Sequence, residues 1–274
     1  MNGLSLLDHI SILHDFRQSW KISYRLSDIL FLTIVAVIGG AEGWEEIEDF
    51  GEDHLDWLRL YGDFESGIPS HHTIARVMST ISGKQLQKVF IQWMQDCHTL
   101  TDGAVVAIDG KSLRGTYDKT KRDTAIHMVS AFCAGNQVVL GQLKTSEKSN
   151  EITAIPELLQ LLELKGCLVT LDAMGCQHKI AQAILKKKAD YLLAVKGNQG
   201  KLADAFDNWY SPTMWLGESY DSYSTQEKGH GRLETRLCIA SDDLSPLGDL
   251  AYDWPALKTI GIVVDADENL AKIW

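Results

Sequence analysis

Two aspartates close two short apolar runs. Ala104-Val105-Val106-Ala107-Ile108 leads into Asp109, and Cys167-Leu168-Val169-Thr170-Leu171 leads into Asp172. Runs of that length and content read as strands of a sheet covered on both faces. Neighbouring strands lie about 4.8 Å apart. Two carboxylates at matching heights on adjacent strands can therefore share a divalent cation. Oxygen-only donors favour a hard ion, Mg²⁺ or Mn²⁺. A pair of such ions about 3.5–4 Å apart can activate water and stabilise the leaving oxygen of a phosphodiester. The competing reading makes each aspartate a strand-end cap or turn residue.

The elements between the two aspartates must bring them together. Ala125 to Cys133 and Gln137 to Leu143 read as strands joined by a hairpin-type turn at Gly135-Asn136. Ser149 to Leu164 reads as a helix with Ile152, Ile155, Leu158, Leu159 and Leu162 on its apolar side. The strand Cys167 to Asp172 follows, then a helix from His178 to Lys188, a strand from Tyr191 to Val195 and a helix from Lys201 to Trp209. Three strands in an antiparallel meander, then a helical crossover, return the fourth strand parallel to the first. That order is the ribonuclease-H-like one, in which the first and fourth strands are neighbours. Glu234 to Ala240 and Leu257 to Val264 predict two further strands in a less regular part after about residue 210.

Residues 1–100 read instead as a helical region. Ser27 is placed to cap a helix through Ile29 to Ile38 that stops at Gly39-Gly40, and an acidic amphipathic stretch follows from Trp44 to Tyr61. Ten residues from Glu42 to Glu65 are acidic, opposed only by Arg59, which reads as a solvated face or, less simply, a partner-binding surface. Pro69-Ser70 opens a helix through Met78, an arrangement compatible with a helix-turn-helix and equally with other paired helices. Lys84 to Leu100 closes the region, and Thr101-Asp102-Gly103 breaks it. The division predicted is 1–100 helical and 101–274 α/β.

Composition narrows the class. The chain has 274 residues, 45% hydrophobic and 23% charged, an ordinary globular make-up. The formal charge is −11, distributed as −7 over residues 1–100, +3 over 101–200 and −7 over 201–274. An acidic chain is a poor non-specific ligand for a polyanion, so any nucleic-acid contact must be local. Five cysteines, an odd count at wide spacings with no CxxC pair, indicate neither a zinc knuckle nor a disulfide framework. The longest apolar run, Ile29 to Ile38, is half the roughly 20 residues of a membrane span. The start MNGLSLLDHI lacks a basic leader segment, and a cytoplasmic protein is expected.

Four segments share a family's wording. Ile108-Asp109-Gly110-Lys111-Ser112-Leu113-Arg114-Gly115, Leu171-Asp172-Ala173-Met174-Gly175-Cys176-Gln177, Lys196-Gly197-Asn198-Gln199 and His230-Gly231-Arg232-Leu233-Glu234-Thr235-Arg236 resemble the H-repeat-associated proteins of bacterial Rhs elements, within the DDE transposases of insertion sequences. The resemblance runs from about residue 8 to about residue 262. It implies that Asp109 and Asp172 are the first two catalytic, metal-holding aspartates, with Mg²⁺ or Mn²⁺ as cofactor. It implies DNA as partner and leaves open whether two copies pair. Lys111, Arg114, Lys196, Asn198, Gln199, Arg232 and Arg236 are then placed to hold phosphates or bases, or else are exposed loop residues.

One part of the pattern is missing. Members carry a third acid, a Glu in a late helix within a His-Trp-x-Ile-Glu-Asn pattern, which does not occur here. The ending Asp265 to Trp274 differs from the family continuation, so a truncated copy, with an incomplete sheet and without activity, is expected. Glu234 is the one substitute at hand, 62 residues after Asp172, although its surroundings read as a strand. The alternative function is a non-enzymatic DNA-binding or interaction remnant built on the helical region.

Overall fold

The computed structural model describes residues 5–97, 102–113, 126–145, 151–211, 220–229, 232–265 and 270–273. It divides into two compact units, Met1–Thr99 and Leu100–Trp274.

The first unit is helical: α1 Leu6–Ser11, α2 Leu26–Ile38, α3 Trp44–Asp53, α4 Leu55–Leu58, α5 His71–Thr80 and α6 Gly83–Cys97. Helix α2 is its axis. Ile29, Leu30, Leu32 and Ala36 are fully buried, and Asp28, Phe31 and Thr33 nearly so, as befits a helix apolar on most of its circumference. It begins one residue before the expected cap: Arg25 is the N-cap, and no side chain bonds the first turn. The acidic stretch is two helices rather than one, because the chain leaves helical geometry at His54 (φ −118°, ψ 17°).

Three polar contacts pin the helices together. The buried Asp28 carboxylate accepts from the Phe64 N–H at 3.1 Å and the Asp63 N–H at 3.4 Å. His9, 1% exposed, joins α1 to α6 through its Nε2, 2.9 Å from Asp96 Oδ2. Helix α5 is capped from a neighbour: Glu48 on α3 accepts from the His71 backbone N–H at 2.7 Å and also from the His71 ring. A carboxylate there satisfies an orphan N–H and meets the positive end of the helix dipole. Ser70 holds the N-cap position without capping the backbone; its hydroxyl lies 3.2 Å from Thr73 Oγ1 instead.

The second unit is built on one nine-stranded sheet: β1 Val105–Ser112, β2 His127–Cys133, β3 Val138–Thr145, β4 Leu168–Leu171, β5 Asp190–Val195, β6 Asp221–Gly229, β7 Arg232–Ser241, β8 Ile260–Asp265 and β9 Leu270–Ile273. The order across it is β3-β2-β1-β4-β5-β9-β8-β7-β6. Strands β1, β4 and β5 are parallel, and all other pairings are antiparallel. The first five strands thus have the ribonuclease-H-like order that the sequence predicts. The link between β2 and β3 is a turn over residues 134–137, whose left-handed residue is Gln137 (φ 56°).

The part after residue 210, expected to be less regular, extends the sheet by four antiparallel strands. Two of these leave no recognisable pattern in the sequence. β6 reads Asp-Ser-Tyr-Ser-Thr-Gln-Glu-Lys-Gly and lies at the sheet's edge, while β9 is four residues long. One face of the parallel core is dry: Val106, Ile108, Val129, Ala131, Val169, Leu171, Leu193 and Val195 are all buried. Helices α7 Glu151–Leu161 and α8 His178–Lys186 pack against strands of this core, and α9 Gly200–Trp209 follows β5.

The Glu48–His71 contact gives the first unit a defined acid sensitivity. The His71 backbone N–H, and then its ring, hold Glu48 below the ordinary carboxylate value of 4.5. A lowered folded-state pKa adds stability that is complete above the unfolded value and disappears as pH falls through the folded one. Glu48→Gln should therefore lower the urea midpoint of the chain at about pH 6, and the gap to the parent should close toward about pH 3. Urea titrations across that range check it; a gap independent of pH would contradict it.

Candidate functional site

The site is set by strand pairing. In the β1–β4 ladder Val105 lies opposite Leu168 and Ile108 opposite Leu171. Asp109 and Asp172 are the next residues after this pair, at one height and about 4.8 Å apart in strand spacing. Asp109 does not end its strand, as the sequence suggests; β1 runs on to Ser112 because β2 continues beside it, with Asp109 opposite Ser130 and Ser112 opposite His127. What ends at this level is β4.

Asp172 performs the local task of the competing reading as well. Its Oδ1 accepts from the Met174 N–H at 3.1 Å and the Gly175 N–H at 3.3 Å, capping the 3₁₀ turn Ala173–Gly175. Among the described residues its Oδ2 has no hydrogen-bond partner. The Asp109 side chain is 57% exposed and pairs with Lys111, whose Nζ lies 3.7 Å from Oδ2. An exposed pair of this kind is worth little, so the ammonium is easily displaced by another cation. Two exposed, adjacent carboxylates with, among the described residues, one lightly held counter-charge suit Mg²⁺ or Mn²⁺ as donors. Among the described residues no group of three or more His, Cys, Asp or Glu side chains is arranged to hold a metal.

The loop after β5 lies at the same end of the parallel strands, where open α/β sheets bind their ligands. Lys196 is exposed there. Asn198, also exposed, and the half-buried Gln199 turn their amides to a neighbouring turn: Asn198 Nδ2 donates to the Ala173 carbonyl at 2.6 Å, and Gln199 Nε2 to the Cys176 carbonyl at 2.9 Å. Both amides thus secure the turn that Asp172 caps. Sequence alone missed this, because two amides after a strand look the same whether they face a ligand or a neighbouring turn.

The remaining predicted positions are separate. Arg114 lies outside the described residues. Arg232, Glu234 and Arg236 are on β7, four strands from β4, or roughly 19 Å at the usual spacing. Glu234 lies opposite Glu227, and Arg236, which is exposed, opposite Thr225 and Asp265.

One acid near the site was not anticipated. Glu151, the first residue of α7, is 8% exposed, whereas Ile152 beside it is 38% exposed. The buried stripe is Glu151, Ala154, Ile155, Leu158 and Leu159, one residue out of step with an apolar reading that includes Ile152. An acid at a stripe position was the available signal. Ser112 Oγ and His127 Nδ1, 2.7 Å apart, add a second polar contact toward the end of β1.

Residues 100–252 match the family described as transposase DDE domain, and residues 7–94 match the DDE_Tnp_1-associated family. The "Putative transposase YncI" of Escherichia coli O157:H7 is 57% identical over 264 residues, covering 96% of this chain and 68% of that one. The "H repeat-associated putative transposase YhhI" of Escherichia coli K12 is 55% identical over 267 residues, covering 97% and 71%. A piggyBac transposase synaptic complex with hairpin DNA aligns over 97% of this chain and 56% of that one, at 13% identity and a TM-score of 0.37, a likeness too loose to bear on the fold. No helix among the described residues is long and apolar enough to cross a membrane.

The inward amides give a stability prediction. Replacing Asn198 and Gln199 together by alanine removes two partly buried hydrogen bonds at about 1 kcal/mol each, so unfolding by urea should show a loss of about 2 kcal/mol. Unchanged stability would return both residues to the pool of free, ligand-facing groups.

Proposed function

Because the chain belongs to the DDE-domain transposases, we propose that Asp109 and Asp172 form the metal-holding acid pair of a DNA strand-cleaving and strand-transferring centre. The observation that carries this reading is the β1–β4 register, which sets Ile108 against Leu171 and so brings the two acids level. Bound Mg²⁺ or Mn²⁺ would supply positive charge to activate a water or a 3′-hydroxyl and to stabilise the phosphate under attack.

The chain's own groups supply the rest. Asp109 and Asp172 hold charge at one height. Asn198 and Gln199 fix the Asp172 turn. Lys111 and Lys196, both exposed at this end of the sheet, meet DNA phosphates. Such contacts are local, as a chain of net charge −11 requires. With two acids assigned and a third unassigned, charge at the transition state is only partly balanced. Each missing electrostatic stabiliser can lower a rate by about 10²–10³-fold. The proposal is accordingly that this chain binds metal and DNA but cleaves poorly.

Two assays test this. Isothermal titration with Mn²⁺ should show binding by the parent that Asp109→Asn and Asp172→Asn each abolish, while supercoiled DNA in Mg²⁺ should be nicked no faster by the parent than by Asp109→Asn. Fast Mg²⁺-dependent nicking lost in Asp109→Asn would overturn the claim of poor cleavage and keep the site. Absence of Mn²⁺ binding, with salt-dependent DNA binding unchanged in both variants, would overturn the site and favour a non-enzymatic DNA-binding protein.

A further inference from the structure

Gly110 follows Asp109 in β1, and the space its side chain would take is already filled. A Cβ built on Gly110 would lie 2.6 Å from each carboxylate oxygen of Glu151, closer than Cβ atoms come to other atoms in proteins. The Glu151 carboxylate therefore rests directly on the β1 backbone, from the face on which Ile108 and Val106 are buried. Successive side chains in a strand leave opposite faces. Asp109 accordingly projects from the other side, where it is 57% exposed.

The location matters because β1 loses a neighbour there. The β1–β4 pairing ends at Ile108–Leu171, while the β1–β2 pairing continues through Gly110, Lys111 and Ser112. Among the described residues, the acid-bearing segment is thus held by strand pairing on one side and not on the other. Glu151 presses on the segment's buried face at that level. Its helical position belongs to the apolar stripe that continues through Ala154, Ile155, Leu158 and Leu159.

We propose that Glu151 is a positioning residue for Asp109: its buried carboxylate braces the Gly110 end of β1 and so fixes the height at which Asp109 meets Asp172. The functional meaning of the brace rests on the acid-pair reading given above, while its mechanical part does not. The brace also explains the glycine. Any side chain at 110 would drive the Glu151 carboxylate off the strand.

Amide hydrogen exchange on the full chain tests the brace. Glu151→Ala should speed exchange at residues 110–112 by at least about tenfold and leave 105–108 unchanged, because only the end of the strand opens. Glu151→Gln, which keeps the shape and an acceptor oxygen, should stay within about threefold of the parent, and Gly110→Ala should reproduce Glu151→Ala. Protection that is unchanged at 110–112, or that falls evenly along β1, overturns the proposal. In the same samples Mn²⁺ affinity, read by electron paramagnetic resonance, should drop about tenfold or more in Glu151→Ala and recover in Glu151→Gln, as supporting groups behind a metal site do. Mn²⁺ binding that needs Asp109 yet ignores Glu151→Ala defeats the positioning role and leaves the acid pair standing. Local opening at 110–112 with no Asp109-dependent Mn²⁺ signal upholds the brace and defeats the acid pair.

Discussion

The arrangement depends on one parallel pairing. β1 and β4 are far apart in sequence, joined through two antiparallel strands and a helix, and they meet with Ile108 opposite Leu171. A slip of one residue would turn every side chain of either strand to the other face. Val106, Ile108, Val169 and Leu171, all buried on one face, forbid that slip. The apolar contacts that stabilise the sheet are therefore the same contacts that set two carboxylates level.

Around the pair, each neighbour does local work. Asp172 commits one carboxylate oxygen to a turn, and the Asn198 and Gln199 amides hold that turn from the next loop. Lys111 keeps a loose counter-charge on Asp109. Charge is thereby handled at the site, which lets the rest of the molecule stay acidic. The first unit follows a similar economy: acidic side chains on its helices accept backbone N–H groups elsewhere in the unit, as Glu48 does for the start of α5 at His71 and Asp28 for the turn at Phe64.

Much of this was legible in the sequence, and the omissions have physical causes. The β1 to β5 order followed from apolar runs and turns, because a covered parallel sheet writes itself as continuous hydrophobic strands. Asp109 and Asp172 could be picked out because each closes such a run. β6 was invisible because an edge strand needs no apolar residues, and β9 because four residues make no pattern. The helix start at Leu26 and the break at His54 depend on backbone geometry that several residue types tolerate. The inward turn of Asn198 and Gln199 is a tertiary fact. Glu151 was within reach: a helical stripe of Ala154, Ile155, Leu158 and Leu159 extends back to it, but Ile152 beside it offers a more hydrophobic and misleading choice. Glu234, attractive by its distance along the chain, sits four strands from β4, a separation that sequence spacing does not reveal.

Iron-directed cleavage of the polypeptide tests the acid pair most directly. Fe²⁺ placed in the Mg²⁺ position, with ascorbate and peroxide, releases hydroxyl radicals that cut backbone within a few ångströms of the ion. Cuts near both 109 and 172, suppressed together by excess Mg²⁺ and by Asp109→Asn, are the result expected of two side chains gripping one cation. Cuts near only one of them, or cuts that persist in Asp109→Asn, would mean that the two carboxylates share a level of the sheet without sharing an ion.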